Sequence, residues 1–138
     1  STFDRARFGI CGNTVQSAER NIIMELLQMA DITHYFNVSY IGGSKHILTV
    51  KGNGKQNQFH VFGGKDEASY KLVQGITLSG VLFDEVALMP ESFVNQAIAR
   101  TLSVGDARLW FNCNPEGPRQ SAALVLSAMD FKGGQRRA

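Results

Sequence analysis

Cysteine is scarce in this chain. The two thiols, Cys11 and Cys113, lie far apart and form no metal-spaced cluster. Reduced thiols in an intracellular protein are the expectation, and one long-range disulfide is the alternative. Apolar runs are short, and none approaches the roughly 20 residues of a membrane helix. The opening Ser-Thr-Phe-Asp-Arg holds no apolar signal core. The net charge of +2 is too small to argue for nucleic acid by itself. His34, His46 and His60 have no metal spacing, so surface or half-buried roles are expected. Neither an internal repeat nor a low-complexity tract occurs.

What remains is a globular composition, 43% hydrophobic and 19% charged, in 138 residues. That length makes at most one ordinary domain and can bury roughly two thirds of its unfolded surface. Fourteen glycines point to turns and close backbone approaches.

The hydrophobic period changes along the chain. Arg7–Cys11 reads as a short strand, and Gly12-Asn13-Thr14 as a turn. Thr14 or Ser17 can cap a helix that places Ile22, Ile23, Leu26, Leu27 and Ala30 at helical spacing. Strand, turn and helix in that order suit an α/β layer fold. From Tyr35 to Gly64 the period is two, and Asn53-Gly54 is a strong hairpin signal. Two or three strands are expected there, the last rejoining the main sheet. Asp66–Gln74 reads as a short helix capped by Asp66, and Val81–Asp84 as a buried strand. Pro90 opens a helix over Glu91–Arg100. Ala107–Asn112 reads as another strand, with Trp110 in the core. Asn114-Pro115-Glu116-Gly117-Pro118 breaks regular structure, and Ser121–Met129 forms a small apolar helix. Lys132–Ala138 reads as a basic tail.

One stretch carries chemistry. Gly80-Val81-Leu82-Phe83 is an apolar run that ends in Asp84-Glu85. A buried strand that delivers two carboxylates to its end can present acid to Mg²⁺ and phosphate. The alternative is a core strand that runs into a solvated loop. The next strand ends in Asn112-Cys113-Asn114. In a parallel sheet both ends would share one rim, where ligands of open α/β sheets bind. Turn chemistry alone also accounts for Asn114-Pro115.

Gly75–Phe93 and Leu109–Pro118, with the acidic strand, the Met-Pro-Glu-Ser-Phe helix start and the Asn-Pro-Glu-Gly turn in order, resemble the large terminase subunit of tailed bacteriophages and prophages. Phe8–Asn21, with Gly12, Thr14 and Arg20, is similar to the strand and helix that follow the phosphate loop in that family. The resemblance implies a P-loop NTPase-like α/β fold, with a central, mainly parallel sheet flanked by helices and a β-hairpin excursion. It implies a partial ATPase core over residues 1–118 and a divergent tail over 119–138. ATP and Mg²⁺ are the implied cofactors. Asp84 matches the Mg²⁺-binding acid, and Glu85 the catalytic glutamate that activates water. Asn112, Cys113 and Asn114 match the coupling motif, with Asn112 and Asn114 near the nucleotide. Gly75 and Thr77 lie just before the acidic strand. Double-stranded DNA, a portal and a small terminase subunit are the implied partners, in the bacterial host cytoplasm and without a membrane. Ring-forming relatives make a homo-oligomer an open expectation.

Two departures matter. No Gly-x-x-x-x-Gly-Lys-[Ser/Thr] loop occurs: Gly64-Lys65 runs into Asp66, and Gly54-Lys55 into Gln56. Without its backbone cradle and lysine this chain alone is expected to hydrolyse ATP poorly or not at all. After Pro118 the sequence diverges, and no nuclease carboxylate cluster can be placed. The expectation is an ATPase core cut at both ends. The rivals are a non-catalytic DNA- or partner-binding remnant and a helicase-like ATPase fragment. Lys45, Lys51, Lys55 and Lys65, with Tyr40 and Phe59 interleaved, could touch nucleic-acid phosphates and bases, or simply form a solvated strand face. Arg100, Arg108 and Arg119 are candidate phosphate or inter-subunit contacts.

Overall fold

The computed structural model describes residues 3–112 and 118–131. Six strands form one sheet in the order β2-β3-β4-β1-β5-β6. β1 (Arg7–Gly12) pairs in parallel with β4 (Lys55–Gly63) and with β5 (Gly80–Asp84), and β5 pairs in parallel with β6 (Arg108–Asn112). β2 (Asn37–Ile41) and β3 (Ile47–Gly52) join as an antiparallel excursion that ends on β4. The expected fold class is therefore observed.

The hairpin turn follows from two residues. Asn53 (φ 51°) and Gly54 (φ 76°) both adopt the left-handed backbone of a two-residue turn, which matches the strand twist. β4 then crosses from the antiparallel excursion into the parallel sheet, pairing Gln58 with Arg7 and Gly63 with Gly12.

Helices cover both faces. On one, the segment 15–26 and the helices Ala30–Thr33 and Pro118–Ala128 lie against Phe8, Ile10, Leu48, Phe59 and Leu82. On the other, Glu67–Gln74 and Glu91–Ala99 lie against Cys11, Phe62, Val81 and Phe83. β5 is buried on both faces along its whole length, as a central parallel strand should be. Each fully buried Phe or Leu contributes about 1.5–3 kcal/mol to the sandwich.

Thr14 caps the segment 15–26 through a reciprocal box with Ser17. The segment is not a uniform α-helix: Glu19–Ile23 is π-helical between two α-helical pieces. Ile22, Ile23 and Leu26 still face the core. Helix Glu67–Gln74 begins after Asp66, as expected, but the Asp66 carboxylate does not cap it. It accepts the Val15 N–H instead, at 3.1 Å.

Phe59 needs a larger correction. It is no stacking platform for bases, being fully buried against Phe8 with ring centroids 5.1 Å apart. Its side chain falls on the face covered by the segment 15–26 and the helix Pro118–Ala128, which strand alternation alone could not specify. Tyr40 is half-buried, and its hydroxyl donates to Glu19. Trp110 is partly buried against the core. Cys11 is a buried free thiol, and burial pushes its pKa up. Helix Pro118–Ala128 lies mostly in the stretch expected to diverge, yet Leu124, Val125 and Ala128 join the main core. Asn53 and Asn57 fasten its carboxyl end. Asn53 donates to the carbonyls of Met129 and Asp130, and Asn57 to that of Ala128. The basic tail beyond Phe131 lies outside the described residues.

Candidate active site on the carboxyl rim

Because β4, β1, β5 and β6 run parallel, their carboxyl ends lie along one rim. It carries Gly63, Gly12, Asp84 and Asn112 in that spatial order. The β5–β6 register sets Asp84 opposite Asn112. The Asn112 amide donates from Nδ2 to Asp84 Oδ1 at 2.9 Å. Asp84 is 9% exposed. Burial raises its pKa, the neighbouring Glu85 charge raises it further, and the Asn112 hydrogen bond works against both.

Glu85 stands one residue further out, exposed to solvent. Its backbone is left-handed (φ 58°, ψ 51°), and its N–H donates to the Asn112 carbonyl at 2.8 Å. A non-glycine residue in that region stores about 1–2 kcal/mol of strain. The chain thus turns off the sheet at Glu85, and Val86–Leu88 begins a short 3-10 turn before Pro90.

β1 and β4 add a second, independent contact at the same rim. Gly64 N–H donates to the Gly12 carbonyl and Lys65 N–H to that of Asn13. Gly63 has no room for a side chain: a Cβ there would meet Asp66 Oδ2 at 2.4 Å and Val15 N at 2.5 Å. Asn13 Oδ1 is buried without a hydrogen bond. The Asp66–Val15 link escaped the sequence reading because a capping residue usually serves its own helix. A Gly-Gly pair at the end of an apolar run was the available signal for close approach.

The fold brings Asp84, Glu85 and Asn112 together. Asn114 and Cys113 lie outside the described residues. Gly75 and Thr77 precede β5, at its other end. Arg100 donates to the Gln74 carbonyl. Arg108, at the amino end of β6, donates to Ser127 and stands over the Phe3 ring. Neither arginine reaches the acid rim. His46 bonds Glu19 at 3.1 Å and His60 bonds Gln58 at 3.2 Å. Among the described residues no three acidic, histidine or cysteine side chains form a metal-binding group. No described helix is long and apolar enough to cross a membrane.

Two carboxylates offer hard oxygen donors of the kind Mg²⁺ prefers. Asp84 and Glu85 repel each other, and a cation would relieve that repulsion. One or two carboxylates, with water and phosphate oxygens completing the shell, suffice for Mg²⁺. The donor set therefore fits the metal that the resemblance implies.

No protein-family model matches the chain, and no curated protein sequence does. Solved structures do. The large terminase of a thermophilic bacteriophage is 48% identical over 94% of this chain, with a TM-score of 0.75. That match spans 31% of the relative's length. The same terminase in complex with ADP is 50% identical over 82% of this chain and 27% of its own, with a TM-score of 0.72. The ATPase domain of the Thermus phage P74-26 large terminase, at 20% identity and a TM-score of 0.55, shares the fold over 83% of this chain and 49% of its own. With near half identity over almost its whole length to one such subunit, the chain belongs to the large terminases of bacteriophages and corresponds to part of their length.

Proposed function

We propose that this chain carries the acidic half of the ATPase centre of a DNA-packaging motor. Asp84 would hold Mg²⁺, Glu85 would orient and deprotonate the attacking water, and Asn112 would fix the Asp84 carboxylate. Asn114 would join Asn112 near the nucleotide. The observation that carries this reading is the 2.9 Å bond between Asn112 and Asp84, because it fixes the orientation of the buried carboxylate at the rim. Mg²⁺, when bound, would neutralise phosphate charge. The residues' own part is to aim one carboxylate and to present another beside it.

The left-handed Glu85 backbone supports the division of labour. It ends the strand after Asp84, so that Glu85 is exposed while Asp84 stays buried. In this reading the phosphate-binding loop is supplied by residues outside this sequence. A further strand on the edge of β6, which has no neighbour strand among the described residues and where Leu109 is 40% and Phe111 46% exposed, would bring such a loop beside Asn112. Relatives have been solved with ADP and with ATP-gamma-S, which favours a purine nucleotide as the ligand. Double-stranded DNA, a portal and a small terminase subunit are the partners of the motor in this reading, and the host cytoplasm its compartment.

Calorimetry with MgATP on this chain and on Asp84→Asn is the test. Weak binding by the parent chain that the substitution abolishes is expected. Equal binding by both would overturn the role of Asp84. Turnover by this chain at the rate of an intact motor would overturn the need for an added phosphate loop.

A further inference from the structure

The four hairpin lysines do not act as one group. Lys65 follows β4 on the acid rim. Lys45 lies in the β2–β3 turn, in a groove shared with Arg7 and His60 and floored by Ile47, Phe62 and Ile76. Lys51 and Lys55 stay together, and the fold adds Arg5, which no sequence spacing had linked to them. These three cations line a concavity of about 280 Å³, together with Asp4, Gln56 and the turn glycines. It lies at the amino ends of β1 and β4. The eight steps along β4 from Lys55 to Gly63, at about 3.3 Å each, set it roughly 26 Å from the acid rim.

Arg5 is the unexpected member. Its φ is 59°, a conformation that glycine or asparagine adopts at least cost. One backbone bond and one bond to the Asp4 side chain hold the segment there. Arg5 N–H donates to the Gln56 carbonyl at 2.7 Å, and Asp4 Oδ1 accepts the Gln56 N–H at 3.0 Å. The guanidinium itself forms no ion pair or hydrogen bond with the described residues, and neither do the ammonium groups of Lys51 and Lys55. Asp4 offsets one of the three charges. A strained backbone thus presents an exposed cation whose charge has no partner among the described residues, and such local conflicts gather at functional positions.

We propose that Arg5, Lys51 and Lys55 form a contact surface for the phosphate backbone of a nucleic-acid duplex, on the rim remote from Asp84. Preferring a polynucleotide over other polyanions rests on the terminase reading above; the basic concavity does not. Contacts of this kind go to phosphate, so binding is independent of base sequence and sensitive to salt.

Fluorescence anisotropy with a short labelled DNA duplex tests it on the 138-residue chain. Three neutralised phosphates predict that log K falls with log salt at a slope of about −2.7. Lys51→Glu combined with Lys55→Glu should weaken binding at least about 10-fold and flatten that slope toward about −1. The control pair, Lys45→Glu with Lys65→Glu, should stay within about 2-fold. Arg5→Gly should bind more weakly while its Tm holds or rises, since glycine relieves the strain. No duplex binding at low salt, an equal loss in the control pair, or full affinity in Arg5→Gly would each overturn the proposal. MgATP calorimetry on the same samples reports on the acid rim alone, so the two readings fail separately.

Discussion

Asn112 donates its side-chain amide to the Asp84 carboxylate at 2.9 Å, across the parallel β5–β6 pair. The bond is the one influence that holds the Asp84 pKa down, against burial and the Glu85 charge. The net result lies above the ordinary carboxylate value. A raised acid binds its proton more tightly when folded, so its contribution to stability is present at low pH and lost as pH rises through the folded pKa. Asp84→Asn should therefore melt higher than the parent at pH 7, and the gap should close as pH falls toward about 4. Thermal melts across that range check it, and a gap that widens in acid would contradict it.

Glu85→Gly separates strain from chemistry. Removing a left-handed non-glycine backbone should stabilise the fold by about 0.5–1 kcal/mol. Urea midpoints would show the gain. Any nucleotide turnover reconstituted with a phosphate-loop segment should disappear in the same variant.

Gly63→Ala tests the close approach of β4 to the segment 15–26. The added methyl would collide with Asp66 Oδ2 and Val15 N, both within 2.5 Å. A loss of about 1–3 kcal/mol is expected, with the Asp66–Val15 bond broken. Unchanged stability, together with an unchanged Val15 amide signal in NMR, would show that the rim yields more easily than its geometry states.

Asn57 is fully buried and fully used. Its Oδ1 accepts the Ala6 N–H at 2.9 Å, and its Nδ2 donates to the carbonyls of Phe3 and Ala128. Asn57→Leu strands those groups and should cost roughly 3 kcal/mol. Hydrogen exchange should rise first in helix Pro118–Ala128 if the fastening works as described.

Much of this was legible in the residues. The change from helical to alternating period marked the excursion, and Asn53-Gly54 marked its turn. The acidic pair stood out because an apolar run ended in it. What stayed hidden depended on partners distant in sequence. Phe59 looked available for stacking until the fold put Phe8 beside it, and period-two alternation does not say which face a helix will cover. Asp66 sat at a capping position but served a segment 51 residues earlier. Arg5 drew no notice, because its meaning lies in a backbone angle. Asn53 and Asn57 read as turn and strand polar groups until helix Pro118–Ala128 arrived above them.

That fastening ties together two regions of the sheet. Helix Pro118–Ala128 ends at the hairpin turn, where Asn53 donates to the carbonyls of Met129 and Asp130 just past its last residue. The hairpin and the helix are therefore joined by amide bonds as well as by apolar contact, so neither shifts without the other giving up a hydrogen bond.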